Sequence, residues 1–164
     1  MTTPDVPAPV HVLFTDLVGR MFLAAALGAV IGLERELRQK EAGLRTNILI
    51  TMGSALFTIM SIEISEPDAD PGRIAAQIVT GIGFLGGGAI LHTKGSIQGL
   101  TTAATIWMNA AIGVAAGAGR YTLAIVATAT TLLTLVALVP VDKWLNKRND
   151  RGHRDTPDLQ VGPT

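Results

Sequence analysis

The chain has 164 residues, 48% of them hydrophobic and only 16% charged, with 18 glycines, no cysteine and a formal net charge of zero. Its mean hydropathy is +0.41, more apolar than a soluble domain of this size. That balance argues against nucleic acid as a partner, and the lack of cysteine removes disulfides and thiol chemistry.

The first ten residues are polar and proline-rich, with no Lys or Arg before Arg20, so the N-terminus does not read as a cleaved signal. Hydropathy then predicts five spans, at 13–33, 46–62, 73–91, 100–117 and 119–140, each long enough to cross a hydrocarbon core as a helix. The expected architecture is an all-α membrane protein, a compact bundle of five transmembrane helices. Residues 1–12 form an extracytoplasmic segment, 13–140 the membrane domain and 141–164 a polar, disordered cytoplasmic tail behind the interfacial anchors Lys143 and Trp144.

On the first span Asp16 and Arg20 stand four apart on one face. They either line a polar path or neutralise each other where Arg20 snorkels to the interface, and the interfacial pair is favoured. The first loop carries two i,i+4 pairs, Glu34–Arg38 and Glu41–Arg45. Gly43 then breaks the helix. Arg45, Thr46 and Asn47 open the second span, and Thr46 or Asn47 is expected to cap it at an anion-friendly corner.

Asp70 and Pro71 read as the N-cap and first helical residue of the third span, with Arg73 reaching a headgroup or a carboxylate. That span, RIAAQIVTGIGFLGGGAIL, holds Gln77, Thr80 and five glycines, including Gly81, Gly83 and Gly86. Small residues and an amide predict close packing inside the bundle. The run from Gly81 to Gly86 spells a dinucleotide fingerprint, but it has no strand before it and Ile106 stands where an acid is required. Gly28/Gly32 and Gly113/Gly117 repeat the four-residue spacing elsewhere.

The fourth span places Thr101, Thr105 and Asn109 on one face, and the link to the fifth, at Gly117–Arg120, predicts a tight helical hairpin. Helical rise sets Gln77 about 6 Å and Asn109 about 12 Å from the same outer face, so a polar seam between spans three and four is expected. Separate bonding of each threonine to its own helix is the competing expectation. No zinc-like or catalytic constellation stands out, so neither a cofactor nor enzyme activity is expected.

With five spans, ten Lys and Arg fall on one side of the membrane, and only Arg73 and Arg120 on the other. Cytoplasmic loops carry that excess, so the N-terminus is expected outside and the C-terminus inside.

The strings IGLERELRQKEAGLRTN, DPGRIAAQIVTGIGFLG and GLTTAATIWMNAAIGVAAGAG resemble the MgtC/SapB family of bacterial inner-membrane proteins over about residues 17–135. The resemblance implies a multi-pass protein tied to growth in low magnesium and survival in macrophages. It implies action on other membrane machinery, the F-type ATP synthase included, and a magnesium-transport role has also been proposed for the family. It points to Glu34, Arg35, Arg45, Thr46, Asp70, Arg73, Gln77, Gly81 and Thr102. The virulence members have Asn at the place of Thr101, Cys at the place of Met108 and a folded C-terminal domain that the tail here is not expected to form.

Three functions follow as expectations. The first is modulation of other membrane machinery through helix–helix contact, with the bilayer and a homo-oligomer or another inner-membrane protein as partners. The second is a small oligomeric cation transporter, and the third a structural subunit. One chain offers Asp16 as the only carboxylate well inside a span, so a magnesium path would need several copies around an axis.

Overall fold

The computed structural model describes residues 14–65, 70, 72–93 and 96–140. It has an all-α, membrane-type fold of five helices: α1 (Phe14–Leu37), α2 (Leu44–Ile64), α3 (Gly72–Gly88), α4 (Leu100–Gly117) and α5 (Tyr121–Ala137). α1, α2 and α4 are long and apolar enough to cross a membrane; α5 is apolar and, at 17 residues, shorter. The expected tail and its anchors lie outside the described residues, as does the N-terminal segment.

α2 is the central helix, packed most extensively on α1 and α4. Glycines make this possible. A Cβ at Gly28 would lie 2.8 Å from the Asn47 carbonyl oxygen, and one at Gly32 would lie 2.8 Å from the Leu44 Cα. From α4, a Cβ at Gly113 would meet the Thr51 carbonyl oxygen at 2.3 Å, and one at Gly117 the Ala55 carbonyl oxygen at 2.5 Å. Both α1 and α4 therefore approach α2 nearly backbone to backbone, the geometry that small residues at four-residue spacing permit. The surface that α2 offers is itself small: Asn47, Thr51, Ser54, Ala55, Thr58 and Ser61 are all buried.

α3 differs from expectation. It is peripheral, with only Ile82 and Gly86 buried, and it leans on α4 more than on α2. Gly86 meets Ala103 at ordinary contact distance, while a Cβ at Gly81, Gly83 or Gly87 would meet nothing within 4 Å. The expected enclosure of Gly81 and Gly83 is thus corrected. Gly81 faces the open space between α2 and α3, Gly83 is exposed on another side of the helix, and Ile82 with Ile78 supplies the packing against Ile106 and Ala110.

The helix also ends earlier than the hydropathy boundary. Leu91–Thr93 and Ser96–Gln98 form β1 and β2 of a short antiparallel hairpin, with Leu91 opposite Gln98. Gly99 then turns the chain into α4 at φ 86°, and a Cβ there would lie 1.9 Å from the Ala89 carbonyl oxygen. Only glycine fits both that backbone region and that approach. The α4–α5 link is as tight as its sequence predicts, closing through Gly119 at φ 72°.

Candidate functional site

Polar side chains gather at three levels of the α1–α2–α4 core and along one lateral cleft. At the end where α1 begins, Arg20 Nη2 pairs with Asp16 Oδ2 at 2.6 Å, and Arg20 Nη1 donates to the Gly117 carbonyl at 2.9 Å. The Tyr121 hydroxyl donates to Asp16 Oδ1 at 2.8 Å. Arg20 is thereby tied to the end of α4 by a carbonyl that the helix leaves free, and Asp16 to the start of α5. The pair closes this end of the bundle.

At the middle level Asn47 and Asn109 are both fully buried. Asn47 Nδ2 donates to the Ala42 and Gly43 carbonyls, each at 2.7 Å. Those two acceptors fix the orientation of the amide, since reversing it would set oxygen against oxygen. Asn47 Oδ1 is therefore the atom that faces α4, and Asn109 Nδ2 donates to it. This arrangement leaves Asn109 Oδ1 buried without a hydrogen-bond partner among the described residues.

The expected seam between Gln77 and Asn109 is overturned. Asn109 lies on the face of α4 that meets α2, while the face toward α3 is apolar, with Ile106 and Ala110. Gln77 is exposed on the periphery. The threonines bond locally instead. Thr80 donates to the Ala76 carbonyl and Thr105 to that of Thr101, as Thr51 and Thr58 do on α2.

The third level lies where α1 ends. Glu34 Oε2 accepts from Arg35 Nε at 2.6 Å and Glu34 Oε1 from Arg35 Nη2 at 3.2 Å, and Arg38 Nε pairs with the same carboxylate. Arg35 is 3% exposed, and its Nη1 has no hydrogen-bond partner among the described residues. α1 then stops in a turn with Gln39 at φ 54°, where Gln39 N–H donates to the Glu36 carbonyl and Lys40 N–H to that of Arg35. That is the bonding of a left-handed helix terminus.

The cap of α2 is a surprise. Neither Thr46 nor Asn47 provides it. Glu36, eight residues back across the turn, accepts from the Leu44 N–H at 2.9 Å. The anion-friendly corner at Arg45 and Thr46 is thus filled by the chain's own carboxylate, with Arg45 and Thr46 exposed. The expected Glu41–Arg45 pair is also absent from the ion pairs formed among the described residues, because the turn at 38–43 takes Glu41 off the helix that would have aligned them.

At the start of α3 the Gly72 N–H donates to Asp70 Oδ1 at 2.8 Å, the cap the sequence suggests, and Arg73 is exposed.

The lateral cleft runs between α2 and α3. It measures about 600 Å³, and Leu49, Gly53, Phe57, Gln77, Gly81 and Leu85 are among the residues that line it. Thr46 stands at its wall as well. Gly53, like Gly81, has open space where a Cβ would be. Of the residues that sequence reasoning singles out, Asn47 and Asn109 meet each other, Glu34 and Arg35 meet each other, and Thr102 is buried near them. Gln77, Gly81 and Thr46 share the cleft. Thr101 is exposed at the first turn of α4. Sequence reasoning misses Glu36, Tyr121 and the buried hydroxyl stripe of α2. The 51, 54, 58, 61 spacing of that stripe is a helical face and was the available signal.

No solved structure matches this chain. The MgtC family model matches residues 21–144. Protein MgtC of Salmonella typhimurium is 47% identical over 137 residues, covering 84% of this chain and 58% of the relative. A protein of Escherichia coli K12 named "Putative magnesium transporter YhiD" is 50% identical over 127 residues, covering 73% of this chain and 59% of its own length. An uncharacterized protein of Haemophilus influenzae is 44% identical over 144 residues, covering 82% of this chain and 60% of its own. The chain thus spans about three-fifths of the length of these curated relatives. A family match over most of the chain, together with near-half identity to two named relatives, settles its kinship: it belongs to the MgtC family.

Proposed function

We propose that this MgtC-family protein modulates another membrane protein through lateral helix–helix contact, with α3 and the α2–α3 cleft as the docking face. The carrying observation is the cleft. It is long, apolar and open, and its glycines Gly53 and Gly81 leave room for a helix backbone. Gln77 sets an amide at its wall, where lipid offers no hydrogen-bond partner and a partner helix can. The target class that the family resemblance implies is ion-handling or energy-coupling machinery, the F-type ATP synthase included. Chemistry on a substrate is no part of this reading. In it the protein sits in the bacterial inner membrane with its N-terminus outside and its C-terminus in the cytoplasm.

The test uses the absence of native cysteine. A single cysteine at Gly81, carrying a photo-cross-linker, is introduced into the full chain at native expression in its own membranes. A stoichiometric adduct with a second membrane protein is the expected result. Adducts with no second membrane protein defeat the reading. Adducts between copies alone favour the second reading, a small oligomeric cation transporter. The name of the Escherichia coli relative supports that alternative, as does the buried Asn109 Oδ1, without a partner among the described residues and an oxygen of the type that hard cations take.

A further inference from the structure

The end of the bundle where α1 stops holds a second cavity, of about 920 Å³. One wall is cationic. It carries Arg35, Arg38 and Lys40 from the end of α1 and the turn after it. Beside them stands the first turn of α4, with Gly99, Thr101 and Thr102 on the cavity wall. Among the described residues no side chain caps that helix, and its leading N–H groups and the positive end of its dipole face the cavity end of the bundle. The facing wall, from α5 and the residues after it, is apolar, with Leu135 and Leu138.

Two features point to an anion as the ligand. The first is the charge balance. Among the described residues, Arg35, Arg38, Lys40 and Glu41 line the cavity and Glu34 pairs with Arg35 and Arg38, which leaves one cation in excess before the helix end is added. The second is Arg35 itself. Its Nε and Nη2 are taken by Glu34, yet Nη1 of this 3%-exposed side chain has no acceptor among the described residues. A buried guanidinium N–H without an acceptor is costly, and an oxyanion is the group that best satisfies it.

We propose that this cavity binds a phosphate group. Arg35 and Lys40 contact its oxygens, the first-turn N–H groups of α4 help hold them, and the apolar wall takes whatever body the phosphate carries. The volume is far larger than one phosphate ion requires, which suits a phospholipid headgroup with the start of its chains lying along Leu135 and Leu138. The site uses none of the residues named for the docking face, so either reading can fail without the other.

The experiment uses the full chain in a neutral maltoside detergent. Native mass spectrometry reads binding of phosphatidylglycerol against phosphatidylcholine, and thermal unfolding reads sodium phosphate against sodium chloride at matched ionic strength. Preferential retention of phosphatidylglycerol assigns the site to lipid. Stabilisation by inorganic phosphate assigns it to the free anion. In either arm Arg35→Gln lowers affinity about tenfold and Lys40→Gln about threefold, while Arg45→Gln, an exposed cation off the cavity wall, leaves it unchanged. Lys40 is exposed, so its variant carries the test if Arg35→Gln fails to fold. Binding of neither probe, or binding that both cavity variants leave intact, overturns the proposal.

Discussion

α3 and α4 both carry glycines four residues apart, and the structure puts them to opposite uses. On α4, Gly113 and Gly117 lie against the α2 backbone with no room for a methyl group. On α3, Gly83 and Gly87 have the same spacing and meet nothing. The spacing guarantees only that two small residues share a helix face. Whether that face meets a neighbour depends on where the helix is rotated, and large residues decide this: Ile82 and Ile78 turn α3 toward α4, which sends the glycines outward. A small-residue motif therefore licenses close approach without placing it.

The sharpest way to break this comparison is to fill both sites with leucine. Gly113→Leu drives its side chain into the Thr51 carbonyl and the Ser54 Cβ, and overpacking of that kind costs about 3 kcal/mol or prevents folding. Gly83→Leu adds bulk to open space and stays within about 0.5 kcal/mol of the parent. Unfolding in detergent measures both. Similar losses at the two positions would mean that α3 is as tightly held as α4. If the α2–α3 cleft is the docking face, Gly81→Leu, on its wall and with the same open space, weakens partner capture while monomer stability holds.

A second experiment compares couplings. A double-mutant cycle on Asn47→Leu and Asn109→Leu yields an interaction of about 0.6–1.7 kcal/mol, the range for hydrogen bonds between membrane helices. The matching cycle on Gln77→Leu and Asn109→Leu is additive to about 0.5 kcal/mol, since those side chains sit on different faces. A coupled Gln77 would move α3 inward and undo the division drawn above.

The smallest effect concerns the α1–α2 turn. Glu36→Ala removes the acceptor for the Leu44 N–H and costs about 1 kcal/mol, as loss of a helix cap does. Thr46→Val changes an exposed residue that makes no cap and shifts the same unfolding curve by less than about 0.5 kcal/mol.

Much of the fold was legible in the sequence. The five helices follow from the hydropathy pattern, and α4 occupies the residues that pattern assigns it, 100–117. The cap at Asp70 and the turn at Gly117–Arg120 follow from local residue chemistry. What stayed hidden depends on distance or rotation. Glu36 reaches a helix that begins eight residues later, across a turn whose path no local pattern reveals. Asn109 has its partner 62 residues away, and periodicity names the face it occupies without naming the helix opposite. The hairpin of three-residue strands is too short to register as alternation against the apolar run before it.

The bonding of Asn47 has a consequence for the order in which the chain assembles. Its Nδ2 is satisfied by carbonyls four and five residues away, so that half of the amide is quenched as soon as the α1–α2 turn forms. Its Oδ1 has no such local donor and waits for Asn109, which leaves the ribosome 62 residues later. In the interval the nascent hairpin carries one unmet acceptor in an apolar setting. That acceptor gives α4 a single correct register at which to dock, and it penalises any other helix that arrives first without a donor. The buried pair thus ties the pairing of α2 with α4 to one register, held on one side by the α1–α2 turn and on the other by the fourth helix.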